Sequence, residues 1–359
     1  MNSTETINLP MTYAQTLTQA WQQHLAPKAP DAPRVVSTFA GCGGSSLGYS
    51  MAGFHELLAV EWEAHAAETF RHNFPHVPVF EGDIKDVDPA MLDLAPGELE
   101  VFDGSPPCQG FSTFGKRQID DPRNQLFRQF TRLIEAWAPK TFVMENVSGM
   151  IKGSMKSLFV EILQALKAAA PGYRVSARLV DARYLGIPQM RQRLVFIGVR
   201  EDLGLDPVHP SPRPRSEIVT VRQAIGDLTP DELGLVEWPG GRIVDLLRTM
   251  KPGESGATAL VRAGKKGNKF SMVRLDWDRP SYTIVKHWGG DWAGFFHPTK
   301  DRFLSVRELA RLQSFPDEYD WGESSYRDIH ARIGNSVPPL MMRAIASTLR
   351  ADVLDLVKA

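Results

Sequence analysis

The sequence contains little cysteine. Only Cys42 and Cys108 occur among its 359 residues. Two thiols cannot form the disulfide framework of a small secreted domain, and they cannot supply a cysteine-rich zinc site. Zinc-dependent base deaminases, which need further thiolate ligands around the metal, are therefore excluded. The nine histidines do not recur with acidic partners at ligand spacing, so no metal site is predicted.

Long apolar runs and a strong net charge are also missing. No stretch of about 18 apolar residues is present, and the first residues lack the basic and apolar regions of a secretory signal. We therefore expect a soluble, cytoplasmic protein. The formal net charge is only -1, but residues 241–300 hold eleven Lys/Arg against five Asp/Glu. That local excess predicts a phosphate-binding surface, with an ordinary solvated surface as the alternative.

The N-terminal region is predicted to form a helix of its own. Tyr13, Leu17, Trp21 and Leu25 recur every four residues, which is typical of an amphipathic helix, and a Pro/Ala-rich tract follows them. Residues 1–33 are therefore predicted to be a docking helix and linker, with an α/β domain beginning after them.

A glycine-rich segment follows the first predicted strand. That strand begins at Arg34 and runs directly into the segment from Phe39 to Gly48, after which a helical pattern starts. The order of strand, glycine-rich turn and helix opens many nucleotide-binding folds, because glycines let the backbone approach a ligand closely. A tight turn without any ligand is the alternative.

Two further predicted strands end in a carboxylate next to an apolar side chain. The second strand ends at Glu61-Trp62, and the third leads to Asp83-Ile84. A carboxylate at the end of the second strand suits a pair of ribose hydroxyls, and an indole beside it can stack on adenine. Asp83 and Ile84 suit an exocyclic amine and a ring face, with a surface turn as the alternative.

The fourth predicted strand delivers a thiol on a stiff loop. Val101 and Phe102 lead to Pro106-Pro107, whose rings restrict the backbone, and Cys108 follows. Ligands of α/β sheets bind at the carboxyl ends of the strands, which favours a reactive role for Cys108. The alternative is a buried cysteine that packs as a small apolar side chain.

A carboxylate and two arginines are candidates for the same site. Glu145 follows a buried strand, where loss of solvent tends to raise the pKa of a carboxyl and equips it to share a proton. Arg191 and Arg193 stand two residues apart at the start of a later strand, so they are predicted to point the same way and form a cationic pair. A salt-bridged surface pair is the alternative.

Six motifs occur in one order along the chain. They are Phe39-Ala40-Gly41-x-Gly43-Gly44, Pro107-Cys108-Gln109, Glu145-Asn146-Val147, Gln189-x-Arg191-x-Arg193, the block from Arg307 to Pro316, and Gly334-Asn335-Ser336-Val337-Pro338-Pro339. Together they resemble the cytosine-5 DNA methyltransferase family over about residues 34–350. Two departures stand out: Ser37 replaces the usual acid of the first motif, and residues 1–33 have no counterpart in the family's minimal form.

The resemblance implies the fold class and the domain order. The fold is expected to be α/β, a Rossmann-like S-adenosylmethionine-dependent methyltransferase sheet with helices on both faces, plus a smaller, mostly irregular and β target-recognition domain. The implied divisions are an N-terminal helix and linker (1–33), a catalytic and cofactor-binding domain (34–200), a target-recognition domain (201–300), a connecting segment (301–325) and a C-terminal helix (326–359).

The resemblance also implies a reaction, methyl transfer from S-adenosyl-L-methionine to C5 of cytosine in a specific duplex DNA sequence. Because C5 is a poor nucleophile, Cys108 would first add to C6. Glu145 would hold the exocyclic amine and share a proton with N3, and Arg193 would bind O2. Arg191 and Arg193 would favour the thiolate of Cys108. The base that removes the C5 proton stays open.

The donor would be held by the strand ends described above and by the last motif. The implied donor-binding residues are Phe39, Gly41, Gly44, Glu61, Trp62, Asp83, Ile84, Leu126, Asn335, Ser336 and Val337. The product would be S-adenosyl-L-homocysteine. A nicotinamide cofactor is disfavoured because the loop lacks the glycine fingerprint that binds a pyrophosphate.

A cytosine inside a duplex must leave the stack before a thiol can reach it. The basic segment from Gly115 to Arg123, with Lys116 and Arg117, resembles the family's closing loop. In the recognition region, the basic side chains suited to phosphates are Arg262, Lys265, Lys266, Lys269 and Arg274. The tract from His287 to Trp292 suits either packing or base contact, and both stay open.

Two other functions remain at this point. One is a tRNA cytosine-5 methyltransferase of the same family, which the long recognition segment disfavours. The other is a catalytically silent DNA-binding regulator, which the intact Cys108, Glu145 and arginine pair disfavour. The expected partner is double-stranded DNA, through which the protein would associate with the nucleoid. The protein is expected to be a monomer, and a restriction endonuclease for the same site would form no stable complex with it.

Overall fold

The computed structural model describes residues 11–107, 126–266, 272–286 and 294–358. A seven-stranded sheet forms its centre. Its strands are β1 (Arg34–Thr38), β2 (His55–Glu61), β3 (Val79–Glu81), β4 (Val101–Gly104), β5 (Thr141–Val147), β6 (Tyr173–Asp181) and β8 (Gln192–Arg200), and the short β7 (Gln189–Met190) lies outside this sheet. The strand order in the sheet is β3-β2-β1-β4-β5-β8-β6.

The direction of the strands determines which residues meet at one edge. Strands β1 to β5 are parallel to one another, so their carboxyl ends lie together. Strand β8 is antiparallel to β5 and begins at that edge, where Arg193 pairs with Val147. The start of β8 therefore lies beside the end of β5, which carries Glu145.

Helices cover both faces of the sheet. The helices of the described residues are α1 (Tyr13–Leu25), α2 (Gly44–Met51), α3 (Ala64–Asn73), α4 (Leu126–Trp137), α5 (Lys156–Ala168), α6 (Val221–Ile225), α7 (Arg242–Thr249), α8 (Gly256–Arg262), α9 (Val306–Leu312), α10 (Tyr326–Asn335), α11 (Pro339–Leu349) and α12 (Asp355–Lys358). A short π-helical turn, Arg350–Leu354, joins the last two.

Alternation along the strands divides the core into two layers. Val35 belongs to a cluster with residues of α1, α2, α9 and α11, whereas Val36 belongs to a cluster with residues of α4 and α5. Successive side chains of a strand point to opposite faces, which produces this division. The expected α/β fold with helices on both faces is confirmed.

The predicted C-terminal helix is interrupted. Helix α10 ends at Asn335 and α11 begins at Pro339, with Pro338 as its N-terminal cap. Proline lacks a backbone N–H and cannot continue a helix from its preceding turn, whereas it is well tolerated in a first turn. The resulting bend places Ser336 and Val337 in an extended link between the two helices.

A smaller core lies in the later part of the chain. Its buried residues are Ile243, Leu247, Met250, Ala259, Met272, Phe296 and Phe303. Strands β9 (Met272–Arg274) and β11 (Gly294–Phe296) pair beside it, and β10 (Ser281–Tyr282) pairs with β7. Helix α6 belongs instead to the large core with α1 and α9. Among the described residues, none of the helices has the length and apolar character needed to span a membrane.

Candidate active site

The loop after β1 has an unusual backbone. Phe39, Gly41 and Gly43 have positive φ angles of 54°, 57° and 90°. A β-carbon on Gly43 would lie 2.5 Å from the ring of Phe74, whereas one on Gly41 would meet no atom within 4 Å. The loop is therefore pressed against the protein at Gly43 and faces open space at Gly41.

A buried carboxylate organises this loop. Glu61 Oε2 accepts a hydrogen bond from the Gly41 amide at 2.7 Å, and Oε1 accepts from the amides of Trp62 and Glu63 at 2.9 and 2.8 Å. Burial raises the pKa of Glu61, and the three N–H donors oppose that rise. The neighbouring Trp62 is 78% exposed, so its indole is available to a flat ring.

The other predicted donor residues lie on nearby elements. Asp83 accepts from the Lys85 amide at 3.0 Å and begins a short 3₁₀ turn, while Ile84 is buried beneath it. Leu126 begins α4 and packs partly buried against the core. A small cleft between the start of α3 and helix α10 is lined by Glu63, His65, Lys286, Asp328, Ala331, Arg332 and Asn335.

Cys108, the predicted nucleophile, lies outside the described residues, but the loop that leads to it is described as far as Pro107. Asn146 donates a hydrogen bond from Nδ2 to the Pro106 carbonyl at 3.0 Å. Thr38 donates from its hydroxyl to the Asp103 carbonyl at 3.1 Å. Both bonds are buried, so the start of this loop is fixed by the strands on either side.

Glu145 and Arg193 form an ion pair at the edge of the sheet. Arg193 Nε lies 2.6 Å from Glu145 Oε1, and both side chains are nearly buried. Burial lowers the pKa of Arg193, whereas Glu145 raises it. The guanidinium stays protonated, because arginine does not lose its proton in proteins. A paired carboxylate at this edge can hold an amine and a ring proton in a fixed orientation.

Arg191 occupies a different environment from Arg193. Its guanidinium donates to the carbonyls of Ile284, Gly334 and Ser336 at 3.0, 3.1 and 2.9 Å, and the side chain is 1% exposed. Burial lowers the pKa of Arg191, and Arg193 lowers it further. Arg191 therefore holds together the link between α10 and α11, whereas Arg193 pairs with Glu145.

The last motif joins the first through buried polar contacts. Gln313 donates to the Ser336 carbonyl at 2.6 Å, and Gln189 donates to Gln313 Oε1 at 2.6 Å. The Ser336 hydroxyl lies 3.1 Å from the Cys42 sulfur. A β-carbon on Gly44 would lie 2.4 Å from the Val337 carbonyl oxygen, so glycine is required there. Ser336 and Val337 therefore contact the glycine-rich loop.

Ser37 stands where relatives of the resembled family usually have an acid, and a carboxyl from the neighbouring strand lies beside it. Glu56 on β2 is 8% exposed and accepts from the Ser46 hydroxyl at 2.8 Å. Burial raises the pKa of Glu56 to about 7, and the hydroxyls of Ser37 and Ser46 oppose the rise. A buried carboxyl thus reaches this region from β2. Sequence reasoning missed it because alternation along a strand does not reveal which polar residue faces inward.

A second buried carboxyl, Asp103, was also missed. It is 2% exposed and accepts from the Tyr49 hydroxyl at 3.1 Å. Burial raises its pKa well above the usual range, and the carboxylates of Glu56 and Glu145 add to the rise. The sequence places Asn146 in the motif Glu145-Asn146-Val147 but does not predict a role for it. The position of Asp103 and Asn146 near the end of an apolar strand is the sequence feature that could have indicated a role at this edge of the sheet.

The basic residues of the predicted DNA surface fall into three groups. Arg262 is paired with Glu254 at 2.9 Å, and Lys265 and Lys266 are exposed. Arg274 is 5% exposed and donates to carbonyl oxygens and to Asp301 at 2.7 Å, so in this structure it joins protein segments instead of facing solvent. Lys116, Arg117, Lys269 and the tract from His287 to Trp292 lie outside the described residues.

No group of three or more histidine, cysteine or acidic side chains within ranges 11–107, 126–266, 272–286 and 294–358 could hold a metal ion.

Comparison with known proteins identifies relatives along nearly the whole chain. The family model for C-5 cytosine-specific DNA methylase matches residues 33–351. The type II methyltransferase M.AgeI of Thalassovita gelatinovora is 31% identical, with 89% of this chain and 100% of the relative covered. The type II methyltransferase M1.HphI of Haemophilus parahaemolyticus is 35% identical, with 88% and 86% covered.

Solved structures share the same architecture. A prophage-encoded protein of E. coli, described as a DNA modification methyltransferase, aligns with a TM-score of 0.69 and 26% identity over 90% of this chain and 100% of its own. The DNMT2 protein of Spodoptera frugiperda aligns with a TM-score of 0.60 and 20% identity over 89% and 99%, which supports the fold alone. The family match, the extent of the relatives and the shared fold agree: this chain belongs to the C-5 cytosine-specific DNA methylase family.

Proposed function

We propose that this protein transfers a methyl group from S-adenosyl-L-methionine to C5 of cytosine in a specific duplex DNA sequence, through a covalent bond between Cys108 and C6 of a flipped-out base. The observation that carries the proposal is the Glu145–Arg193 pair at 2.6 Å, at the edge of the sheet where the loop before Cys108 begins. Family membership supports the reaction class.

The residues of the glycine-rich side fit the donor. The open space at Gly41 leaves room for a ligand next to the backbone. The exposed indole of Trp62 offers a stacking surface, and the buried carboxylate of Glu61 offers acceptors for hydroxyls. When bound there, S-adenosyl-L-methionine supplies an electrophilic methyl group and becomes S-adenosyl-L-homocysteine.

The remaining chemistry belongs to side chains of this protein. The thiolate of Cys108 adds to C6 of the cytosine, which makes C5 nucleophilic. Glu145, held by Arg193, orients the exocyclic amine and shares a proton with N3, which lowers the barrier to that addition. Once C5 carries the methyl group, loss of its proton and departure of Cys108 restore the aromatic ring.

We further propose that residues 201–300 select the DNA sequence, with the exposed Lys265 and Lys266 at phosphates. The protein acts as a monomer in this proposal, and a restriction endonuclease of the same site forms no stable complex with it. The small core around Leu247 and Phe296 supports a separately packed recognition unit.

The experiment compares wild type with Cys108→Ser. Each protein is incubated with tritiated S-adenosyl-L-methionine and with duplex DNA or tRNA, and separately with duplex DNA that contains 5-fluorocytosine. We expect methyl transfer to DNA and a covalent complex for wild type only, with donor affinity of the variant within about twofold of wild type. Transfer to RNA alone, or the absence of a covalent complex, would overturn the proposal. Bisulfite sequencing of DNA from expressing cells then identifies the target sequence.

A further inference from the structure

Helix α1 lies outside the stretch matched by the family model, which begins at residue 33. It is nevertheless well anchored, because Tyr13, Leu17 and Ala20 are buried in the large core. The Tyr13 hydroxyl donates to the Arg311 carbonyl at 3.1 Å. Helix α1 is therefore packed closely enough onto the rest of the chain to influence the position of the residues it contacts.

Two side chains of α1 contact an aromatic cluster on the catalytic domain. The ring of Trp21 meets that of Tyr319 edge to face at 6.2 Å, and the ring of His24 meets that of Phe74 edge to face at 5.0 Å. The ring centroids of Trp21 and His24 lie 4.8 Å apart, so these two side chains also contact each other. Edge-to-face contacts at these distances are favourable beyond the area they bury.

The same cluster supports the glycine-rich loop. The Tyr319 hydroxyl donates a hydrogen bond to the Cys42 carbonyl. A β-carbon on Gly43 would lie 2.5 Å from the Phe74 ring and 2.9 Å from the Tyr319 oxygen, so the loop backbone rests directly on both rings. The contacts therefore run from α1 through one layer of aromatic rings to the loop.

His24 adds polar contacts to the helices on either side. Its Nε2 lies 3.1 Å from the Asn73 carbonyl at the end of α3, and its Nδ1 lies 2.9 Å from the Ser50 hydroxyl in α2. A carbonyl only accepts, so Nε2 carries the proton and Nδ1 accepts from Ser50. Burial lowers the pKa of His24 to about 4, which keeps this neutral tautomer at physiological pH.

The loop needs such support because its backbone is not self-stabilising. Phe39 has a φ of 54°, a region that non-glycine residues rarely adopt, and such residues persist only where their surroundings hold them. A loop that must be ordered on binding loses affinity to the entropy of ordering, whereas a preformed loop does not.

We propose that α1 is a brace for the donor-binding loop, in which Trp21 and His24 act as positioning residues that hold Tyr319 and Phe74 against Cys42 and Gly43. The inference rests on the proposed donor site. It makes affinity for S-adenosyl-L-methionine depend on a helix that the ligand does not contact.

The first test measures binding of S-adenosyl-L-methionine to the full chain by calorimetry for wild type, Trp21→Ala and the matched control Leu25→Ala, which truncates an exposed side chain on the same helix. We expect Trp21→Ala to raise the dissociation constant roughly three- to tenfold, as loss of one or two aromatic contacts predicts. The KM for the donor should rise in parallel, with kcat and the KM for DNA within about twofold. Leu25→Ala should match wild type.

A second variant keeps the test decisive if Trp21→Ala folds poorly. Tyr319→Phe retains the ring and removes only the hydrogen bond to Cys42, and it should also weaken donor binding. In the Tyr319→Phe background, Trp21→Ala should cost less affinity than it does alone, because both act through the same ring.

The outcomes separate the two proposals. A wild-type protein that binds no S-adenosyl-L-methionine overturns the proposed function and this inference with it. Normal donor affinity in Trp21→Ala, with only a lower melting temperature, overturns the brace and leaves the proposed function intact. Unchanged donor affinity in Tyr319→Phe overturns it as well, because the route from α1 to the loop then fails.

Discussion

Individual residues in this protein owe their roles to what surrounds them more than to their type. Arg191 and Arg193 are two positions apart, yet one holds three carbonyls of the chain and the other pairs with Glu145. Gly41 and Gly43 both have a positive backbone φ angle, yet only Gly43 is pressed against other side chains. Contacts of this kind are set by residues distant in sequence.

Gly41→Ala tests the donor site at the scale of one methyl group. The added β-carbon would meet no protein atom within 4 Å, so the change costs only the backbone strain of a positive φ, about 1 kcal/mol. If the donor occupies that space, the methyl group should weaken S-adenosyl-L-methionine binding by about tenfold or more. Calorimetric titration measures the affinity, and thermal unfolding measures the stability.

Gly204→Ala is the matched control. Gly204 also has a positive φ, of 69°, with no atom within 4 Å of an added β-carbon, and it follows β8 at the opposite edge of the sheet. It should lose similar stability and keep its donor affinity. Equal affinities in the two variants would mean that the donor does not approach Gly41.

At the scale of elements, the regular segments are largely foreseeable from the sequence and the connections are not. Helix α4 is indicated by the spacing of Phe127, Phe130, Ile134 and Trp137, which lie on one buried face. The link between α10 and α11 is held by Arg191 and Gln313, side chains from two other segments. No local pattern could reveal that arrangement.

Arg274 and Lys266 should respond differently to loss of charge, because only Lys266 is exposed. Arg274→Gln removes buried bonds that join β9 to α7 and to the segment after β11, so it should lower the free energy of unfolding by about 2–4 kcal/mol. Lys266→Gln should leave the melting temperature unchanged and reduce the salt slope of DNA binding by about one. Thermal unfolding and DNA affinity at several salt concentrations measure the two effects. An Arg274→Gln variant with normal stability and a reduced salt slope of DNA binding would mean that Arg274 contacts DNA phosphates after all.

At the scale of the whole molecule, buried titratable groups act on stability in opposite directions. Burial lowers the pKa values of His24, His209, His297 and His330 from 6.5 to about 4. As the pH falls, the unfolded chain therefore binds protons at these histidines before the folded chain does. The stability that the neutral, buried histidines contribute to the folded state is fully present above pH 6.5 and is lost as the pH falls toward 4. Glu56, with its pKa raised to about 7, contributes stability below pH 4.5 that is lost as the pH rises through 7.

Glu56→Gln isolates the carboxyl from the histidines. Glutamine does not titrate, so the stability of the variant relative to wild type should rise by roughly 1–3 kcal/mol between pH 5 and pH 8. Chemical denaturation at a series of pH values measures this difference. A difference that is independent of pH would mean that the folded protein does not hold Glu56 in its protonated form.

Local periodicity and contiguous motifs are enough to predict the α/β pattern, the strands that lead to Glu61, Asp83 and Glu145, and membership in the methylase family. Three features follow from the three-dimensional packing instead: Arg193 pairs with Glu145, Arg274 is buried, and α1 reaches the glycine-rich loop through Tyr319. Each of these depends on contacts between segments far apart in the chain. Such contacts are fixed by how the layers pack, and no short stretch of sequence carries that information.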